Sequence, residues 1–160
     1  MTAAATTAAE LGTAERWVAA FADGWRAPES ADAFADHFEP WFTEDVRMVQ
    51  PQLPALVGKR AFRERFARPL FALVPDMHAS VRAWAASGDD VLIEFVLEGT
   101  IGRRRFRMPA VDRMTLRDGL VCERIAYFDP TPLVRAVALS PRSWPLFLRL
   151  EIRQRLASAR

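Results

Sequence analysis

Moving a proton needs a carboxylate, imidazole or thiol whose solvation is controlled, and this chain holds few candidates. The most unusual is Asp112. In the stretch RFRMPAVDRMTL (residues 105–116), Phe106, Met108, Ala110, Met114 and Leu116 alternate with Arg105, Arg107, Pro109, Val111, Arg113 and Thr115. That period of two predicts a half-buried strand, and Asp112 falls on its apolar face. A second strand, LVCERIAYFDP (120–130), follows after Leu116-Arg-Asp-Gly-Leu120. A two-residue Asp118-Gly119 turn would pair Arg117 with Leu120 and set Ile125 opposite Asp112. A three-residue loop with Gly119 in a bulge would pair Leu116 with Leu120 and set Arg124 there instead. Beside Ile125 the carboxyl would lose solvation and its pKa would rise; beside Arg124 it would be held ionised. A protonated acid can donate to a developing oxyanion and a carboxylate can take a proton, so either state permits acid/base chemistry. A purely structural Asp–Arg bridge is the competing reading.

The other reactive groups are weaker candidates. His37 and His78 have no metal-ligating partner at a useful spacing, so no metal site is expected. Between them, His78, at the start of a strand, is the better second base. Cys122 lies among apolar strand residues with no histidine near it in sequence, which fits a packed thiol better than a nucleophile. By alternation Tyr127 faces away from Asp112, as packing or a dimer contact.

The elements that must position Asp112 can be read around it. The segment 1–13 is Ala/Thr-rich and predicts a loose tail. From Ala14 to about Trp25, Trp17, Val18, Phe21 and Trp25 recur at helical spacing. Gly24 and Pro28 suggest an end, and Ser30 can cap a second helix carrying Phe34 and Phe38. DVRMVQP reads as a short strand ending at Pro51. GKRAFRERFARPLFALVPD reads as a third helix, with Phe62, Phe66 and Leu70 four apart and a disturbance near Pro69. Strand patterns then run on with no further helix until the C-terminal segment 138–160, a basic amphipathic helix expected to cover the domain or contact a partner copy rather than a membrane. Three helices and then a meander of long strands predict an α+β fold: a strongly curved antiparallel sheet wrapped around N-terminal helices, with a C-terminal helical extension.

Composition narrows the function. With 160 residues, 51% of them hydrophobic, the chain can bury one real core. Lys plus Arg number 22 against 20 Asp plus Glu, a net charge of +2 that does not describe a polyanion binder. The basic run Arg103–Arg105 follows Thr-Ile-Gly and reads as a solvated hairpin tip, and no nucleic-acid motif is present. The single cysteine excludes an internal disulfide and fits a reducing compartment. The opening MTAAATTAAELG has neither the basic start nor the apolar run of a secretory leader, and no stretch is long enough to span a bilayer. A cytoplasmic protein is expected.

The order FTEDVRMVQP, LVGKRAF and RFRMPAVDRMTLRDGLVCERIAYFDP resembles the nuclear transport factor 2-like superfamily, in particular its SnoaL-like polyketide cyclases. The resemblance covers residues 14–137. It implies a cone-shaped sheet around a deep apolar pocket, a homodimer, and no cofactor. It also favours the register with Arg124 opposite Asp112, since Cys122, Arg124, Ala126 and Phe128 would be the inner positions. Ketosteroid isomerases of this superfamily use an aspartate base where this chain has Gln50 and a tyrosine near Trp17, so their mechanism is not expected. Limonene epoxide hydrolases use charged residues at positions matching Phe95, Leu97 and Ala126, with Met48 and Gln50 in place of a tyrosine and an asparagine. The cyclases, with one pocket aspartate as acid/base, are the better match. The resemblance thus implies a cofactor-independent cyclase- or isomerase-like enzyme acting on a hydrophobic cyclic or polyketide-like molecule. Asp112 and Arg124 would be catalytic, and Trp17, Phe21, Met48, Gln50, Phe95, Met108 and Phe128 would bind substrate. The alternative is a non-catalytic hydrophobic-ligand-binding or dimerisation domain.

Overall fold

The computed structural model describes residues 8–51, 53–141, 144–145 and 148–149. Two N-terminal helices come first, α1 (Ala8–Arg26) and α2 (Ala31–Phe38). The first begins six residues before Ala14, so part of the expected tail is helical. Ser30 caps α2 as its sequence predicts, its hydroxyl accepting from the Ala33 amide at 3.0 Å. A 3₁₀ turn (Glu39–Trp41) leads into β1 (Phe42–Gln50), longer than the short strand expected, and then β2 (Leu53–Val57), which the pattern did not suggest.

The third helical region is not one regular helix. It runs as α3 (Lys59–Ala61), a π-helical segment (Phe62–Ala67) and α4 (Arg68–Leu73). Arg63 ties the π segment to the second helix, donating to Asp36 Oδ1 at 2.6 Å and Glu39 Oε1 at 2.9 Å. These carboxylates raise the Arg63 pKa and keep it charged. Four long strands follow: β3 (His78–Ser87), β4 (Asp90–Ile101), β5 (Arg104–Arg117) and β6 (Leu120–Phe128). The last described helix, α5 (Thr131–Ala138), starts before the expected boundary at 138, and most of 138–160 lies outside the described residues. Asp129 sets its entry, accepting from the Thr131 amide at 2.9 Å and the Thr131 hydroxyl at 2.6 Å.

The six strands form one open sheet in the order β2-β1-β6-β5-β4-β3. All neighbours are antiparallel except β1 and β6, which run parallel. The α+β plan of the sequence therefore holds. One face of the sheet carries the core, in which the rings of Trp17, Phe21, Trp25, Phe34, Phe38 and Phe42 from α1, α2 and β1 pack against Ile93, Phe95 and Met114 from the strands.

The β5–β6 register differs from both alternatives left by the sequence. The connection is a two-residue turn with Arg117 paired to Leu120. Asp118 and Gly119 have φ of 53° and 80°, the pair of positive values of a type I′ turn. The strand then takes up one extra residue: Leu116 pairs with Val121, but Thr115 pairs with Glu123, leaving Cys122 as a bulge. Beyond it Met114 faces Arg124 and Asp112 faces Ala126. The expectation that Arg124 sits directly opposite Asp112 is corrected: it shares the inner face but is the diagonal neighbour. Turn and bulge each shift the register by one, so their combination restores the face while moving the partner.

Candidate functional site

Asp112 is fully buried. Its strand neighbours are Ile93 on one side and Ala126 on the other, which supply no polar atom from their side chains. The diagonal Arg124 reaches it instead. Nε donates to Asp112 Oδ2 at 2.6 Å and Nη2 donates to Oδ1 at 3.1 Å, a forked pair that fixes both planes. Burial pushes the Asp112 carboxyl above its ordinary range, against the opposing pull of Arg124. Arg124 lies between Met48 of β1 and Met114 of β5, is only 7% exposed, and has its Cζ 5.2 Å from the centre of the Phe66 ring. Its remaining nitrogen, Nη1, is buried and has no hydrogen-bond partner among the described residues.

Arg124 also lines a cavity of about 180 Å³. The wall is mostly apolar: Met77, Leu97, Met108 and Phe128 from the sheet side, Phe66, Pro69, Leu70 and Leu73 from the helical region after β2, and Leu133 and Val134 from α5. Gln50, Arg65 and Arg124 supply its polar side chains. Asp112 does not line it. A much smaller space, about 20 Å³, lies among Trp17, Phe21, Trp25, Phe34, Phe38, Phe42, Phe62 and Phe66, and Arg124 borders that one too. Trp17 Nε1 is buried with no hydrogen-bond partner among the described residues.

The residues expected to bind substrate therefore separate. Gln50, Met108 and Phe128 line the main cavity, and Trp17 and Phe21 line the small aromatic one. Met48 and Phe95 are buried in the core and line neither. Alternation told which face these two occupy but not how deep they lie beneath it. Arg65, Phe66, Leu70, Leu133 and Val134 were missed. Arg65, Phe66 and Leu70 lie in the third helical region, where the π segment turns side chains away from the angles a regular helix predicts. Leu133 and Val134 lie in α5, a helix the pattern did not suggest.

The remaining reactive groups lie elsewhere. His37 makes a 2.8 Å hydrogen bond between Nε2 and the Ala20 carbonyl, linking α2 to α1, and the Nδ1 of His78 lies 2.9 Å from the Asp76 carbonyl oxygen. Cys122, at the bulge, has its Sγ 3.4 Å from the Thr115 carbonyl. Among the described residues no group of His, Cys, Asp and Glu is arranged to hold a metal ion, and no helix is long and apolar enough to cross a membrane.

Comparison with known proteins agrees with this architecture. The SnoaL-like domain model matches residues 14–124, and the chain belongs to that family. Among curated proteins no sequence matches it significantly. A protein from Jannaschia sp. CCS1 described as a SnoaL-like polyketide cyclase superposes with a TM-score of 0.70 at 22% identity, over 83% of this chain and 96% of that one. An LEH-like epoxide hydrolase from M. tuberculosis gives 0.63 at 18%, over 84% and 96%. TerC, co-crystallized with polyporic acid, gives 0.67 at 19%, over 79% and 98%. At these identities the likeness shows the shared cone fold and not a shared reaction.

Proposed function

We propose that the protein binds a hydrophobic, ring-bearing small molecule in the main cavity, with Arg124 as its polar contact and Asp112 holding that guanidinium in place. One observation carries the reading: Arg124 is at once forked onto Asp112 and exposed to an apolar cavity that Asp112 does not reach. A mostly apolar cleft with a few polar groups is the usual form of a small-molecule site. TerC, of the same fold, is co-crystallized with polyporic acid, which supports a small organic ligand.

Cofactor-independent cyclase or isomerase chemistry is the second reading. It is favoured by the burial that pushes the Asp112 carboxyl above its ordinary range, against the pull of Arg124, and so favours its protonated form. There Arg124 polarises a substrate carbonyl, and Arg124 swings aside to open Asp112 to the cavity so that its carboxyl gives or takes the proton. In both readings we propose a homodimer formed through the outer face of the sheet, where Leu92 and Tyr127 are exposed.

Trp25 lines the cavity, so its fluorescence reports occupancy. Titration with polycyclic aromatic ketones should change the emission of the wild type but not of Leu133→Trp, which fills the space; equal responses would sink the cavity as the site. Asp112→Asn separates the two readings, because it should keep binding in both and lose turnover only in the second.

A further inference from the structure

Arg124 has its charge oriented before any ligand arrives. Two of its nitrogens are bound to Asp112, its Cζ lies 5.2 Å from the centre of the Phe66 ring, and it is more than nine-tenths buried. The third nitrogen, Nη1, is buried and meets no acceptor among the described residues, and Arg124 borders both cavities. Leaving a charged donor buried and unmatched costs more than leaving a neutral one, so the position favours a ligand that brings its own acceptor. The main cavity also has a particular charge pattern. The charged residues on its wall are Arg65 and Arg124, and no Asp or Glu lines it among the described residues.

From these features we infer that the ligand is an organic acid: an apolar ring system bearing one ionised oxygen, as a carboxylate or an acidic enol, which accepts from Arg124 Nη1. The inference rests on the cavity reading above and names the ligand class within it. The ring portion occupies the space lined by Met108, Leu70 and Leu133, while the anionic oxygen sits at the end where Arg124 is exposed. Asp112 is then a positioning residue. It holds the guanidinium so that one edge faces the protein and the other faces the ligand. The π segment contributes twice, because Phe66 packs beside Arg124 while the neighbouring Arg65 lines the cavity. Short π segments recur at functional sites for this kind of re-aiming.

The test compares 2-naphthoate with its neutral counterpart 2-naphthamide by calorimetry at neutral pH. The wild type should bind the acid about tenfold more tightly than the amide, the size of effect expected for a charge-assisted bond over a neutral one. In the double variant Asp112→Asn/Arg124→Met, which removes both buried charges together, that preference should vanish while binding of the amide persists. Equal affinities for acid and amide in the wild type would overturn the inference and leave the cavity reading intact. Binding of neither compound would overturn both. A double variant that folds and keeps the preference would also overturn the assignment to Arg124. Should that variant not fold, the wild-type comparison decides alone.

Discussion

At the level of single residues the Asp112–Arg124 pair sets what substitution does. Replacing Arg124 by Met would leave a carboxyl without a partner at a fully buried position, and the expected loss is about 3–5 kcal/mol. Asp112→Asn should cost a similar amount, about 3–5 kcal/mol, because it leaves the buried guanidinium without its counter-charge and the amide keeps only one of the two acceptor oxygens. The double variant should recover most of the Arg124→Met loss, since replacing both members of a buried pair is often nearly neutral. Chemical denaturation of the three variants checks this cycle. The pH dependence follows from the raised carboxyl. Its folded pKa lies above the unfolded value of 3.8, so the folded state holds the proton more tightly. The stability this adds is fully present below the unfolded pKa and is lost as pH rises through the folded one. Wild type should therefore lose ground against Asp112→Asn as pH climbs from about 4; a gap that widens in favour of wild type would contradict the shift.

At the level of elements, close packing between α1 and α2 has a checkable centre. A Cβ at Gly24 would lie 2.5 Å from Cδ2 of His37 and 2.6 Å from Cζ of Phe38. Gly24→Ala should therefore cost about 1–3 kcal/mol in thermal or denaturant unfolding, despite the better helix propensity of alanine. This glycine reads in the sequence as a helix terminator, yet α1 passes through it to Arg26. Other features were legible for sound reasons. The strand of Asp112 shows itself because five apolar residues share its face at period two, and Ser30 announces a helix because its hydroxyl replaces a missing backbone acceptor. The Cys122 bulge was not legible, since no residue type there demands one. Nor was the π segment: Phe62, Phe66 and Leu70 satisfy a regular helix as well as they satisfy this one. The chemistry that depends on those two irregularities, the diagonal placement of Arg124 and the exposure of Arg65, was hidden with them.

For the whole molecule, the outer face of the sheet is the surface of interest. Rows of paired residues place Leu92 beside Arg113 and Ile125, and Glu94 beside Val111 and Tyr127. Tyr127 is 53% exposed and Leu92 41%. If this face joins two copies, Tyr127→Asp should convert a dimer to a monomer in analytical ultracentrifugation while leaving the ligand cavity, on the other face, able to bind. A wild type that sediments as a monomer at every concentration would rule the dimer out. The bulge at Cys122 has one more consequence, for tolerated chain length. It holds a single residue of slack on β6: removing Cys122 would let Val121 and Glu123 pair in sequence with Leu116 and Thr115, so Arg124 would still point inward. The β5 side of this hairpin has no such reserve. A one-residue deletion between Asp112 and Leu116 would turn the carboxylate to the outer face, away from its guanidinium. Shortened relatives of this hairpin should therefore have lost their residue from the second strand and not from the first.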